Sequence, residues 1–307
     1  MTTENLERGR EACHYYRSSP HSAGLAVFRL VLGISVLVLL ASCFRDVDLL
    51  PLPEEEKLVI EGSIETGQTA RVLITRSVPI FDRIYSTELL NLVVTNAEVH
   101  LHCGDQQEQL FLVKDEILPK IPVYRGSRLK GEVGKIYTLE VKIDNQAITA
   151  TDTMAKAIYM EKLWFSLEPG EDSLGYVNLS IADPPAENNY YRIWAKRVGQ
   201  DSIFQEVNQD ILNDFYFNGT SFSIPLMRKA GLLSRPDTSF FRRGETVVIK
   251  LAHLSPTFYE VINNAKYEAS NMINPFAIHF EAFSNLEGEA IGGWGCYSTV
   301  LDTLVIE

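Results

Sequence analysis

The chain has no apolar run long enough to cross a membrane as a helix, which takes about 20 residues. Its longest, Leu30–Ala41, stops at 12. Positive charge is also scarce: 28 Lys and Arg stand against 40 Asp and Glu, for a net charge of −12. Basic residues beyond the N-terminal region never run past adjacent pairs such as Arg242-Arg243. This excludes recognition of nucleic acid or of anionic lipid through a basic patch. Cysteine is limited to Cys13, Cys43, Cys103 and Cys296. Histidine is nearly as rare, at six. No nucleophile elbow or thiol-protease signature is present. The glycine-rich stretch Gly292-Gly293-Trp294-Gly295 lacks the lysine and the strand-to-helix setting of a phosphate loop.

The apolar run Leu30–Leu40 ends in Leu40-Ala41-Ser42-Cys43, the pattern of a bacterial lipobox. Small Ala41 and Ser42 fit a peptidase cleft, and the Cys43 thiol supplies the nucleophile for a thioether to diacylglycerol. Leu40, Ala41 and Ser42 are therefore expected to form the signal-peptidase recognition site and Cys43 the lipidation site. Residues 1–42 become a leader that is cut away, and the protein is held to a membrane by acyl chains of the palmitate type. The leader is long and carries Glu4, Glu7 and Glu11, as expected if the start codon is assigned too early. Losing four Arg with these three acids leaves the mature chain slightly more acidic. Residues 43–56, with Pro51, Pro53 and five acids, read as an extended acidic tether.

From Lys57 the pattern is β. Ala97–Cys103 alternates strictly, with Val99 and Leu101 on one face and His100 and His102 on the other. Gly134–Ile143 alternates again, and its Gly-x-x-Tyr-x-Leu-x-Val order resembles the tyrosine-bearing strand of immunoglobulin- and fibronectin-like sandwiches. The fold class is expected to be mainly β, with an Ig-like β-sandwich over 57–153. A second β-rich domain follows over 154–307, with strands at 163–167, 176–181, 190–198, 221–225, 246–251 and 278–283. One amphipathic helix is expected over 256–272. Ser255 serves as its N-cap and Pro256 as its first residue, and Phe258, Val261, Ile262, Ala265 and Ala269 keep three-and-four spacing. The Gly292–Gly295 stretch is expected to be a turn or backbone crossing that needs glycine and exposes Trp294.

Several stretches together carry a family resemblance. They are Leu58-Val59-Ile60-Glu61-Gly62, Thr75-Arg76-Ser77-Val78-Pro79, Asp183-Pro184 with Asn189-Tyr190-Tyr191-Arg192, and Pro275-Phe276 with the Gly292–Gly295 end. In order and spacing the chain resembles the lipoproteins of unknown function from Bacteroidetes that are encoded beside TonB-dependent outer-membrane receptors. The resemblance implies an outer-membrane location, with the cell surface as one face open to it, and a β-barrel partner. It implies no catalytic residues.

The residues themselves offer little chemistry. His100 and His102 share a strand face but are only two ligands, so no metal site is expected. Acid pairs such as Asp210 and Asp214 arise by chance in so acidic a chain. Cys103 and Cys296 either pair or stay as buried free thiols. Aromatics concentrate after residue 154, and Tyr190, Tyr191, Arg192, Trp194 and Trp294 are the candidate partner or ligand surface. The expected protein is not an enzyme, needs no cofactor and binds no nucleic acid. It is expected to serve as an accessory binding lipoprotein of a TonB-dependent receptor in nutrient uptake. The alternatives are a structural or assembly subunit of an outer-membrane barrel and a surface hydrolase.

Overall fold

The computed structural model describes residues 28, 30–35, 56–78, 89–115, 121–185, 187–229, 236–271 and 283–307. Residues 1–53 and 54–307 form two separate compact units. In the first, residue 28 and residues 30–35 are helical, and Phe28, Leu30, Val31, Leu32 and Ile34 are all exposed. Leu40, Ala41, Ser42, Cys43 and the tether up to residue 55 lie outside the described residues. No described helix is long and apolar enough to cross a membrane.

The second unit is mainly β. Its strands are β1 (Leu58–Glu65), β2 (Thr69–Arg76), β3 (Glu98–Cys103), β4 (Gln106–Lys114), β5 (Pro122–Lys130), β6 (Ile136–Ile143) and β7 (Gln146–Thr153). They continue with β8 (Met160–Leu167), β9 (Leu174–Ala182), β10 (Tyr190–Arg197), β11 (Gln205–Asn213), β12 (Ser221–Leu226), β13 (Phe241–Arg242) and β14 (Thr246–Leu254). Helix α1 (Pro256–Asn271) and strand β15 (Ala290–Val305) follow. One sheet of 11 strands runs in the order β11-β10-β14-β15-β1-β2-β5-β4-β3-β6-β7. A smaller sheet has β9 between β8 on one side and β12 and β13 on the other.

Strand alternation turns one side of each strand into core. In β1, Leu58, Ile60 and Ile64 are buried, and in β6 Tyr137, Leu139, Val141 and Ile143 are buried. These residues join those of β2, β3 and β7 in a first core. The Tyr137 hydroxyl donates to Lys130 O at 2.8 Å and accepts from Glu132 N at 2.8 Å. This reaching back to the preceding turn is the tyrosine corner of Ig-like sandwiches. A second core lies between β10 and β14 of the large sheet and β9 and β12 of the small one. Tyr191, Ile193, Val177, Leu179, Ile249 and Leu251 fill it.

The expected separation of 57–153 from 154–307 needs one correction. Strand β15 pairs with β14 on one side and with β1 on the other, so the large sheet is continuous. Trp294 and Cys296 of β15 belong to the first core, while Val300 and Leu304 pack against the second. The pairing of β15 with β1 is parallel and joins positions more than 200 residues apart, which no local pattern reveals. Gly292–Gly295 is accordingly strand rather than turn.

Glycine is nevertheless required there. Gly292 has φ +111° and lies against the backbone of Ile60, leaving no room for a side chain. A Cβ on Gly295 would collide with the Phe258 ring, and one on Gly293 would come within 2.5 Å of Val261. The two flat positions form the seat on which α1 lies. The expected cap is present, with Phe258 N donating to Ser255 Oγ at 3.1 Å. The helix is described to Asn271; the expected last residue, Met272, lies outside the described residues. So does the expected strand 278–283 except Phe283, which is not in a strand.

Candidate partner-binding surface

Period-two geometry splits the Tyr190–Trp194 stretch of β10 into two sets. Tyr190, Arg192 and Trp194 lie on the helix side of the large sheet and are half-buried, Tyr190 and Trp194 packing against the cluster that α1 forms there, whereas Tyr191 and Ile193 are wholly buried. Two members of the expected surface are therefore corrected. Tyr191 is 0 % exposed because its ring lies in the second core, stacked on Phe217 and His253. Trp294 is 0 % exposed because β15 turns it into the first core, where its Nε1 donates to Tyr137 O at 3.1 Å.

Tyr190, Arg192 and Trp194 stand in one neighbourhood. The Arg192 guanidinium lies 4.8 Å from the Trp194 ring centroid, and the Lys250 ammonium, from the facing β14, lies 5.3 Å from it. Both are cation–π distances. Arg192 also reaches Glu206 at 3.1 Å and Asp210 at 3.6 Å on β11. Lys266 of α1 meets the same two carboxylates, each at 2.9 Å, and Lys229 meets Glu206 at 2.9 Å. Burial would raise the Glu206 carboxyl, but the hydrogen bonds from Lys266 and Lys229 overcome this and bring it down to about 2. This network clips α1 to the edge strand. On the other flank Lys250 pairs with Glu65 at 2.5 Å.

The Tyr190 ring packs on Tyr259 of α1, with centroids 4.6 Å apart, and Asn213 Nδ2 donates to the Tyr259 hydroxyl at 3.2 Å. Directly after Asn213 the chain turns through 214–219 and presents Phe215 and Tyr216, 77 % and 92 % exposed. Their rings pack edge to face at 4.9 Å. The turn is fixed from beneath. Asp214 Oδ2 accepts from Asn189 N at 2.7 Å, and Asp183 Oδ2 accepts from Gly219 N at 2.7 Å. The Tyr191 hydroxyl donates to the other oxygen of Asp183. Burial, together with that carboxylate, raises the Tyr191 phenol. Asn189 Nδ2 donates to Pro184 O at 3.1 Å, closing the loop between the two halves of the Asp183-Pro184 and Asn189–Arg192 motif. The motif thus acts as a structural brace.

Sequence reasoning did not single out Phe215, Glu206, Lys250 or Lys266. The visible signal for the turn was Asn218-Gly219 behind three consecutive aromatics, a place where chain reversal exposes at least one ring.

Other candidates resolve into local roles. His100 Nε2 meets Glu98 at 2.7 Å, His102 lies 3.5 Å from Glu140, and no group of three or more ligands converges among the described residues. Both Cys103 and Cys296 are free thiols. Burial first, then the Asp152 charge, pushes the Cys296 thiol up, opposite to what a nucleophile needs. His253 is held by Lys156 O at 2.7 Å, and burial lowers it. Glu108, buried beneath the irregular β5, accepts from the backbone N–H of Ser127, Arg128 and Leu129.

The fold and its surface define a mainly β sandwich protein with an aromatic and charged outer face beside one helix. A family described as Domain of unknown function (DUF4249) matches residues 46–299, and the chain belongs to this family. No curated protein matches it.

Proposed function

We propose that this is a lipid-anchored outer-membrane lipoprotein that docks on an outer-membrane β-barrel, a TonB-dependent receptor, as an accessory in nutrient uptake. The observation that carries the reading is Leu40-Ala41-Ser42-Cys43 at the end of an apolar run, followed by a short acidic tether and a compact β unit. The exposed apolar side chains at residues 28–34 suit a leader that enters a membrane. The resemblance to lipoproteins encoded beside TonB-dependent receptors supports the choice of partner. The docking face is Tyr190, Arg192 and Trp194 together with the Phe215-Tyr216 tip. Tyr, Trp and Arg are the residue types that dominate interface energies, and a braced turn loses little entropy on binding. The buried carboxylates Asp183, Asp214, Glu108 and Asp152 each accept backbone hydrogen bonds and so brace the fold.

The test is affinity purification of the tagged protein from its own outer membrane in mild detergent, with the eluate identified by mass spectrometry. A stoichiometric TonB-dependent barrel is expected. Recovery of an assembly barrel instead replaces the transport role, and recovery of the protein alone removes the docking role. Cys43→Ser is expected to abolish incorporation of labelled fatty acid.

A further inference from the structure

The last strand of the chain occupies the middle of its largest sheet. Ala290–Tyr297 pairs in parallel with Leu58–Glu65, and Tyr297–Val305 pairs antiparallel with Leu254–Thr246. The first segment puts Trp294 and Cys296, both 0 % exposed, into the first core. The second puts Val300 and Leu304 against the second core. Three further ties converge on the same strand. Cys296 N donates to Asp152 Oδ2 at 2.7 Å, holding the end of β7. Asn285 brackets Trp294, accepting from its N–H at 3.0 Å and donating to its carbonyl at 2.7 Å. Helix α1 sits on Gly293 and Gly295.

Removing residues 290–305 would leave β1 and β14 as bare edges over their whole paired lengths. The large sheet would fall into two pieces, β11-β10-β14 and β1-β2-β5-β4-β3-β6-β7. The first piece would lose the half-buried Val300 and Leu304 that pack against its core, and the second would gain a cavity the size of an indole. Burial of large side chains makes up a sizeable part of a domain's small net stability, so both pieces are weakened when the strand is absent.

We infer that β15 is a closing strand: neither core reaches native packing until residues 290–305 are available, so the β unit stays unfolded until they have been made. N-terminal units ordinarily fold first as a chain emerges. Here the parallel β1–β15 pairing spans nearly the whole unit and forbids that order. The consequence rests on the export reading above, since an exported lipoprotein must cross the inner membrane as an unfolded thread. The arrangement keeps the chain threadable until β15 has been made.

The test compares the full chain with a chain ending at Glu289, both expressed with the leader and labelled with fatty acid. Limited proteolysis with intact-mass mapping is expected to show one resistant unit in the full chain. The shorter chain should lose resistance in both halves together. A peptide of residues 288–307 added to the shorter chain should restore both halves at once. A resistant fragment covering 57–153 or 160–254 in the shorter chain would overturn the inference. A second measurement guards against simple misfolding: ribosome-arrested chains should gain resistance only when residue 305 has cleared the exit tunnel, and resistance gained before residue 290 emerges would overturn the inference. Fatty-acid labelling separates the two claims. A folded shorter chain that is labelled sinks the closing strand and leaves the lipoprotein reading intact. An unlabelled full chain that folds only when complete sinks the lipoprotein reading alone.

Discussion

Around the first core Arg71 pairs with Asp115, and the other buried polar groups lean on backbone. Tyr137 bridges Lys130 O and Glu132 N, Tyr124 bridges Val94 O and Ala97 N, and Glu108 collects three backbone N–H donors. Beside the second core, the corresponding groups meet other side chains. Asp183 takes the Tyr191 hydroxyl, Glu206 and Asp210 share Arg192 and Lys266, and Lys250 holds Glu65. Ties of the tyrosine hydroxyls hardly respond to pH or salt, whereas ion pairs do, and so does Glu108, where burial is outweighed by backbone donors that hold its carboxyl below the ordinary range. The first core is therefore the less charge-dependent scaffold. The second carries the charge-dependent face on which the exposed aromatics stand.

This contrast can be broken at several points. Trp294→Ala should have the largest effect, a loss of about 3–5 kcal/mol read from denaturant midpoints, because an indole-sized cavity opens in the first core. A loss confined to a few tenths would mean that β15 is not the shared strand. Gly295→Ala should cost about 1–3 kcal/mol by pushing Phe258 and α1 off the sheet, with a matching loss of amide-exchange protection in α1. Tyr191→Phe should cost about 1–3 kcal/mol, since it leaves a buried oxygen of Asp183 short of its donor.

Acid should act on the second half first. The folded Glu206 carboxyl lies at about 2, below its ordinary 4.5, so its contribution is complete above pH 4.5. It is lost as the pH falls from 4.5 through 2, and Glu206→Gln should flatten thermal melts across that window. Exchange protection in β11 and α1 should fall before that of β6 if the contrast holds. The smallest stability effect belongs to the double change Phe215→Ser and Tyr216→Ser, within about 0.5 kcal/mol of wild type. That variant should still lose the barrel in the affinity purification. Retention of the barrel would move the docking face elsewhere.

Much of the strand pattern was legible because alternation is local. The parity of Ala97–Cys103, of Gly134–Ile143 and of Tyr190–Trp194 put the right residues on shared faces, and Ser255-Pro256 announced the helix. Strands β5, β7 and β11 were not legible. In β5 the ladder with β2 shifts between Thr69 and Arg71. β7 follows the left-handed pair Asp144-Asn145 directly, at φ 47° and 69°, so hairpin and strand merge in the sequence. In β11, Gln209 at φ 54° and a register shift opposite Arg192–Trp194 break the alternation.

The sequence by itself determined the acidic balance, the mainly β class and the helix start, and it carries the Leu40–Cys43 pattern on which the proposed lipid anchor rests. Each follows from a residue's own chemistry or from its neighbours within a few positions. Only the tertiary structure decided which face of each strand is interior, and so separated Trp194, half-buried beside α1, from Trp294 and Tyr191, wholly buried. It also decided that Gly293 and Gly295 seat a helix, and that the final strand joins the first. Such choices depend on which strand lies alongside and what packs over it. A parallel pairing between chain ends leaves no trace in the local period, because period two fixes alternation but not which side meets water.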